Sequence, residues 1–374
     1  MRVLIGSNTP NDMRLGVSIV IHQIGCEFSR MGHSVDYLYA EDVPKYIPYG
    51  RLPALNYSLA AVQIIREREQ VAGPYDIVNI HGGDGCFYGL YKKMFGRPGR
   101  FAVTIHGSEE FYWDQWRQEA RLGLAPKIPF RAYLAFRLLR LTQIRLALQT
   151  SDRILCASFK ADKEHIVSKY GIARDRITVV PNGVGEEYFI TRDYEREPPR
   201  LLMVSTWLWR KGVKYLARAF ERVYEKYPEV QLSLLCTWFG VEKVRSEFPV
   251  YLQQKIKVEP FVPVEEVLSE YQRHDIFVLP SLVEGMPLAL LRAMATGMPV
   301  VVTNTCSMHD LVESGYDGLL VPCRDSEALA RAISTLIQDK TLREKLGTNA
   351  QMKMRDYTWE KVASAWWAAM MNGR

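Results

Sequence analysis

Twelve short runs of β-branched and aliphatic residues, in two sets of six with helical stretches between them, constrain this chain more than any other feature of its sequence. In the first half they fall at 2–6, 34–39, 75–80, 101–105, 153–157 and 176–180, and in the second at 200–204, 231–236, 255–259, 275–279, 298–303 and 318–321. Such runs separated by amphipathic helices, Val213–Lys226 and Ser326–Asp339 among them, are the pattern of parallel βαβ units. A parallel strand buries both faces and needs a crossover to reach its neighbour. Between the two sets, 191–199 is rich in charge and ends in Pro198-Pro199, the composition of an exposed linker. The sequence therefore predicts an α/β fold of two doubly wound, Rossmann-like domains, 1–190 and 200–355, joined by the linker and facing each other across a cleft. At 374 residues the chain exceeds what one hydrophobic core usually organises, which points the same way.

Composition narrows the class further. The 48% hydrophobic and 24% charged fractions are those of a globular protein, and no low-complexity tract interrupts them. The six cysteines (Cys26, Cys86, Cys156, Cys236, Cys306, Cys323) form no C-x-x-C pair, which fits neither a zinc site nor a disulfide framework and suggests a reducing cytosol. The apolar run after Met1 is too short for a signal peptide, and no stretch of about 18 apolar residues is present to span a membrane. The net charge of +6 is local in origin. Residues 114–145 carry Arg117, Arg121, Lys127, Arg131, Arg137, Arg140 and Arg145 against only Asp114 and Glu119. On an ideal helical wheel the arginines of 131–145 occupy about half the circumference, yet Phe136, Leu138, Leu139, Leu141 and Ile144 lie all around it, so no clean amphipathic face emerges. The segment reads either as a domain helix with arginines on its exposed side or as contact with an anionic membrane surface.

Open parallel sheets bind ligands at the carboxyl ends of their strands, so chemistry is sought just after each apolar run. After the run at 275–279 comes Pro280-Ser281-Leu282-Val283-Glu284-Gly285-Met286-Pro287-Leu288, a turn that opens a helix whose first backbone N–H groups can receive an anion. Glu284 either caps that helix or accepts hydrogen bonds from ligand hydroxyls. After 200–204 come Ser205, Thr206, then Trp209-Arg210-Lys211-Gly212; a cation at a helix start opposes the helix dipole and so asks for another reason to be there. Phe101–Ile105 is followed by His106-Gly107, and Ile77–Ile80 by His81-Gly82. Gly16 opens a helix after the loop 8–15, and the G-x-G-x-x-G of a dinucleotide oxidoreductase is absent from this turn.

Taken in order, these motifs resemble those of the retaining GT-B glycosyltransferases of glycosyltransferase family 4. Pro280-Ser281 through Glu284-Gly285 matches the start of the family's E-x7-E region, whose first glutamate contacts the donor sugar; the second glutamate position is Arg292 here. Lys211-Gly212 matches the family's Lys-Gly, while the arginine that usually precedes it in the clamp is Thr206, with Arg210 available to take its place. His106-Gly107 is similar to the family's His-Gly, and Gly16 to one of its glycine pair. Pro181-Asn182-Gly183-Val184 and Tyr357-Thr358-Trp359-Glu360 also resemble family markers, the latter implying a helix at 356–374 that crosses back to the first domain.

The resemblance implies a GT-B fold and a transferase that moves a sugar from a UDP- or GDP-type donor to an acceptor hydroxyl with retention, without cofactor or metal. It implies Glu284, Lys211, Arg210 and His106 as catalytic residues and Gly16, Thr206, Gly285, Met286, Pro287, Leu288 and Arg292 as donor-binding residues. The expected partners are a nucleotide sugar and a sugar, glycolipid or small-molecule acceptor, with peripheral membrane contact through 114–145 at the inner face of the cell membrane, and no nucleic acid. Arg292 and Thr206 leave a second reading, a non-catalytic binding or scaffold protein on the same fold.

Overall fold

The computed structural model describes residues 1–44, 53–158 and 160–371; the last three residues of the expected 356–374 helix lie outside them. Each of the twelve apolar runs is a strand: β1 Arg2–Gly6, β2 Ser34–Leu38, β3 Ile77–His81, β4 Arg100–Ile105, β5 Arg153–Cys156 and β6 Ile177–Val179, then β7 Leu201–Val204, β8 Leu232–Leu235, β9 Ile256–Glu259, β10 Ile276–Leu279, β11 Val300–Thr303 and β12 Leu319–Val321. They form two six-stranded sheets, ordered β2-β1-β3-β4-β5-β6 and β12-β11-β10-β7-β8-β9. Every pairing is parallel. Strands such as β3, β10 and β11 are buried along their whole length, which is why their sequences read as continuous apolar runs rather than as alternation.

Two compact units contain these sheets. The first comprises 1–108, 128–182 and 359–371 of the described chain, the second 109–127 and 183–358. In the first, the helix Trp359–Met371 packs on the helix Gly16–Arg30, with Trp367 stacked on His33 at 3.8 Å and Trp366 Nε1 donating to the Pro181 carbonyl at 3.2 Å.

The second unit takes in a helix that lies, in sequence, among first-half elements. Glu109–Arg121 is held there by Glu119, which is buried and accepts from Arg324 Nε at 2.7 Å and from the Tyr215 hydroxyl at 3.2 Å. Tyr112 and Trp116 of the same helix set their rings 5.4 and 6.3 Å from that of Trp209.

In each sheet the order of connection reverses at one place, between β1 and β3 in the first and between β7 and β10 in the second. Loops leaving these strands diverge to opposite faces and open a crevice at their carboxyl ends. At the β7/β10 point the loops are pressed together. Gly212 has φ of 68°, and a Cβ there would stand 1.9 Å from the Pro280 carbonyl oxygen. Both the backbone conformation and the space demand glycine. We predict that Gly212→Ala lowers unfolding free energy by about 3 kcal/mol in a denaturant titration; a loss within error of zero would mean that the contact is not a constraint.

Candidate active site

The residues that matter at the second unit's switch point arrive on two loops. The loop after β7 ends in a turn at Trp209–Lys211, and Gly212 then begins the helix Val213–Lys226. The loop after β10 runs from Pro280 to Pro287 and begins the helix Leu288–Ala295. The Leu282 amide donates to the Arg210 carbonyl at 2.8 Å, and the Thr303 hydroxyl donates to the Ser281 carbonyl, so both loops are fixed by backbone as well as by side chains.

That scaffold brings Lys211, Arg210 and Glu284 together. Lys211 Nζ forms an ion pair with Glu284 Oε1, the Ser281 hydroxyl donates to the same oxygen at 2.8 Å, and Arg210 Nη1 stands 3.9 Å from Oε2. Glu284 does not cap the helix that follows, whose first turn has no side-chain cap; the capping alternative left open by the sequence is thereby removed. Burial alone would raise the Glu284 carboxyl, but the charges of Lys211 and Arg210 and the two hydrogen bonds outweigh it and hold the group below its usual range. Burial pulls the Lys211 ammonium down, and Glu284 offsets part of that. The pair is charged. A buried ion pair returns little net stability against apolar side chains of equal volume, so its presence at a switch point argues for a use in chemistry.

Nearer β7, the same loop carries unsatisfied polarity. Ser205 Oγ, Thr206 Oγ1 and Trp207 Nε1 belong to three consecutive residues and are buried with no hydrogen-bond partner, the Trp207 ring packing against Phe248. Arg292, one turn into the helix Leu288–Ala295, takes no carboxylate partner among the described residues; its guanidinium lies over the Tyr188 ring at 5.2 Å. Gly285, Met286, Pro287 and Leu288 are half-buried along the turn into that helix.

Gly16 and His106 belong to the first unit. Gly16 is exposed at the start of its helix after β1, without positive φ, and a Cβ would meet nothing within 4 Å; nothing in the surrounding polypeptide requires glycine there. His106 follows β4 and His81 ends β3. Their rings are joined by a 2.8 Å bond between His106 Nε2 and His81 Nδ1, and His81 Nε2 is buried without a partner. Burial pushes His106 down to about 4, and His81 well below its ordinary value, so both imidazoles are neutral at pH 7. Sequence reading singled out His81 but not the His81–His106 bond, and it missed Ser281 as the second donor to Glu284. Ser281 was legible in the motif; the histidine bond depends on which strands are neighbours. Among the described residues no group of three or more His, Cys, Asp or Glu side chains could hold a metal ion.

Comparison with known proteins bears on the family and the fold. The family described as Glycosyltransferase Family 4 matches residues 15–188, and that described as Glycosyl transferases group 1 matches 187–353. An uncharacterized glycosyltransferase of Methanocaldococcus jannaschii is 24% identical over 89% of this chain and 88% of its own. A UDP-Gal:α-D-GlcNAc-diphosphoundecaprenol α-1,3-galactosyltransferase of Escherichia coli is 25% identical over 72% of this chain and 68% of its own. In structure, a sucrose-phosphate synthase of Thermosynechococcus elongatus superposes with a TM-score of 0.77 at 19% identity, covering 98% and 97% of the two chains. An Anabaena protein, HepE, solved in complex with UDP, gives 0.70 at 15% identity, covering 98% of each. Two Rossmann-like units of this kind define the GT-B class of transferases. The chain belongs to the family 4, group 1 glycosyltransferases.

The histidine pair fixes a pH dependence. Because His106 titrates lower folded than unfolded, the unfolded chain binds more protons between its ordinary value of about 6.5 and the folded value of about 4, so stability falls as pH drops through that window. His106→Asn should flatten that part of the stability–pH curve, and neither imidazole should titrate near 6.5 by NMR. Titration of His106 at its ordinary value would contradict the buried, neutral pair.

Proposed function

We propose that this chain transfers a sugar from a nucleoside diphosphate donor to an acceptor hydroxyl with retention of anomeric configuration, and that the loops after β7 and β10 hold the donor. The observation that carries the proposal is the buried grouping of Lys211, Arg210, Ser281 and Glu284 at the β7/β10 switch point. A diphosphate beside Arg210 and Lys211 would find two cations in a site shielded from water, where charge developing on a leaving group is stabilised most strongly. Glu284, kept ionised by those cations, has acceptor capacity left for donor-sugar hydroxyls.

In the reaction the bond between the anomeric carbon and the phosphate oxygen breaks, and a bond from that carbon to the acceptor oxygen forms on the same face. The acceptor proton passes to the departing phosphate oxygen, and the products are a glycoside and a nucleoside diphosphate. Lys211 and Arg210 compensate the diphosphate's charge without a cofactor or divalent cation. His106, neutral and directional, is assigned to the donor sugar, and Gly16 to close approach of a phosphate, on the strength of the family resemblance. The UDP of the Anabaena structure and the UDP-Gal of the E. coli relative favour a uridine donor. The acceptor of that relative favours a glycan-building role.

The test separates chemistry from folding. Lys211→Met or Glu284→Gln alone leaves a buried charge without its counterion, and each should cost about 3 kcal/mol of stability. Each should also lower kcat/KM with an active UDP- or GDP-sugar by roughly a hundredfold or more. The double variant should recover most of the stability and none of the transfer. Retained transfer in either single variant, or recovery in the double, would assign the pair a structural role. Arg292→Glu provides a second check: calorimetry should show tighter nucleoside diphosphate binding if that position faces the ribose, and unchanged affinity would place the ribose elsewhere.

A further inference from the structure

The basic segment singled out in the sequence divides between the two units, and only its second part forms a coherent surface. Residues 114–127 cluster with the second unit, where Arg117 pairs with Asp114. Residues 128–145 belong to the first. They fold as a helix, Phe130–Ala135, a single π-turn, Phe136–Arg140, and a second helix, Leu141–Thr150. The π-turn takes more residues per turn, and so less rotation per residue, than the constant pitch on which a helical wheel is drawn. Phe136, Gln143, Ile144, Ala147 and Leu148 are buried, while Phe130, Leu134 and Leu138, spaced four residues apart, point outward with exposures of 75, 43 and 61%. Leu139, at 43%, extends the patch.

Along the segment itself the charge has one sign. No acidic residue occurs from 128 to 150. Arg140 is drawn inward to Asp84 at 2.6 Å, but Arg131, Arg137 and Arg145 are exposed and have no acidic partner among the described residues. A stripe of large apolar side chains edged by uncompensated arginines is complementary to a surface with an apolar interior and anionic phosphates at its rim. A second copy of the chain would set arginine against arginine across a twofold axis, and a nucleic acid would leave the phenylalanine and leucines in water.

We propose that the outward face of 130–145 docks on an anionic lipid bilayer, with Phe130, Leu134 and Leu138 entering among the acyl chains and Arg131, Arg137 and Arg145 meeting lipid phosphates. This docking does not depend on the transfer chemistry, so the two can fail separately. The test is co-flotation of the full chain with vesicles of phosphatidylcholine, with and without phosphatidylglycerol. The chain should float with the anionic vesicles and not the neutral ones, and the bound fraction should fall as salt is raised. Two variants, Phe130→Ser/Leu134→Ser/Leu138→Ser and Arg131→Glu/Arg137→Glu, should each reduce partitioning by more than about tenfold with an unchanged melting temperature, since the altered side chains are exposed. No flotation with anionic vesicles, or equal flotation of the variants, would overturn the proposal. So would a dimer that the serine variant dissociates without any change in vesicle binding, which would assign the face to a second copy.

Discussion

The Lys211–Glu284 ion pair is the constraint around which the second unit's loops are arranged. Two opposite charges removed from water are tolerated only where geometry and further hydrogen bonds compensate their desolvation. Here the compensation comes from Ser281 on one side and Arg210 on the other. To bring the partners together, the loops after β7 and β10 must touch at the backbone, and they do so where Gly212 admits the Pro280 carbonyl. The Lys-Gly pair in the sequence is thus one device: the lysine supplies the charge, and the glycine lets the opposing loop come close enough to meet it.

Topology explains why this pair and not another. A doubly wound parallel sheet offers an open crevice only where the winding reverses, and in the second sheet that is between β7 and β10. Lys211 follows one of those strands and Glu284 the other, although 73 positions separate them in the chain. In the first sheet the reversal lies between β1 and β3, and the features found there obey the same rule: Gly16 opens the helix after β1, and His81 ends β3 with its ring bonded to His106, just after the adjacent strand β4. In each unit these side chains follow the carboxyl ends of strands at or next to the reversal.

Much of this was legible before any coordinates. Parallel strands buried on both faces leave continuous apolar runs, so all twelve strands could be located and the α/β class inferred. The loop motifs were legible because their chemistry is local: a lysine followed by glycine at a helix start, a glutamate after Pro-Ser. Other features depend on contacts distant in sequence. Glu119 gives no sign in its neighbourhood that Arg324 and Tyr215 will hold its helix in the second unit. Arg292 could be recognised as a departure from the family, but the Tyr188 ring beneath it could not be foreseen. The π-turn at 136–140 hid the outward face of its segment, since periodicity assumes a constant pitch.

In the proposed reaction the Lys211–Glu284 grouping receives the donor, Arg210 and Lys211 at the diphosphate and Glu284 at the sugar. A crystal structure of the chain soaked with a mixture of UDP- and GDP-sugars tests this most directly, because it also reports which nucleotide is retained. Diphosphate oxygens should lie within hydrogen-bond distance of the Arg210 and Lys211 side chains, with donor-sugar hydroxyls on Glu284. A nucleotide bound away from these three residues, with the ion pair undisturbed, would contradict it.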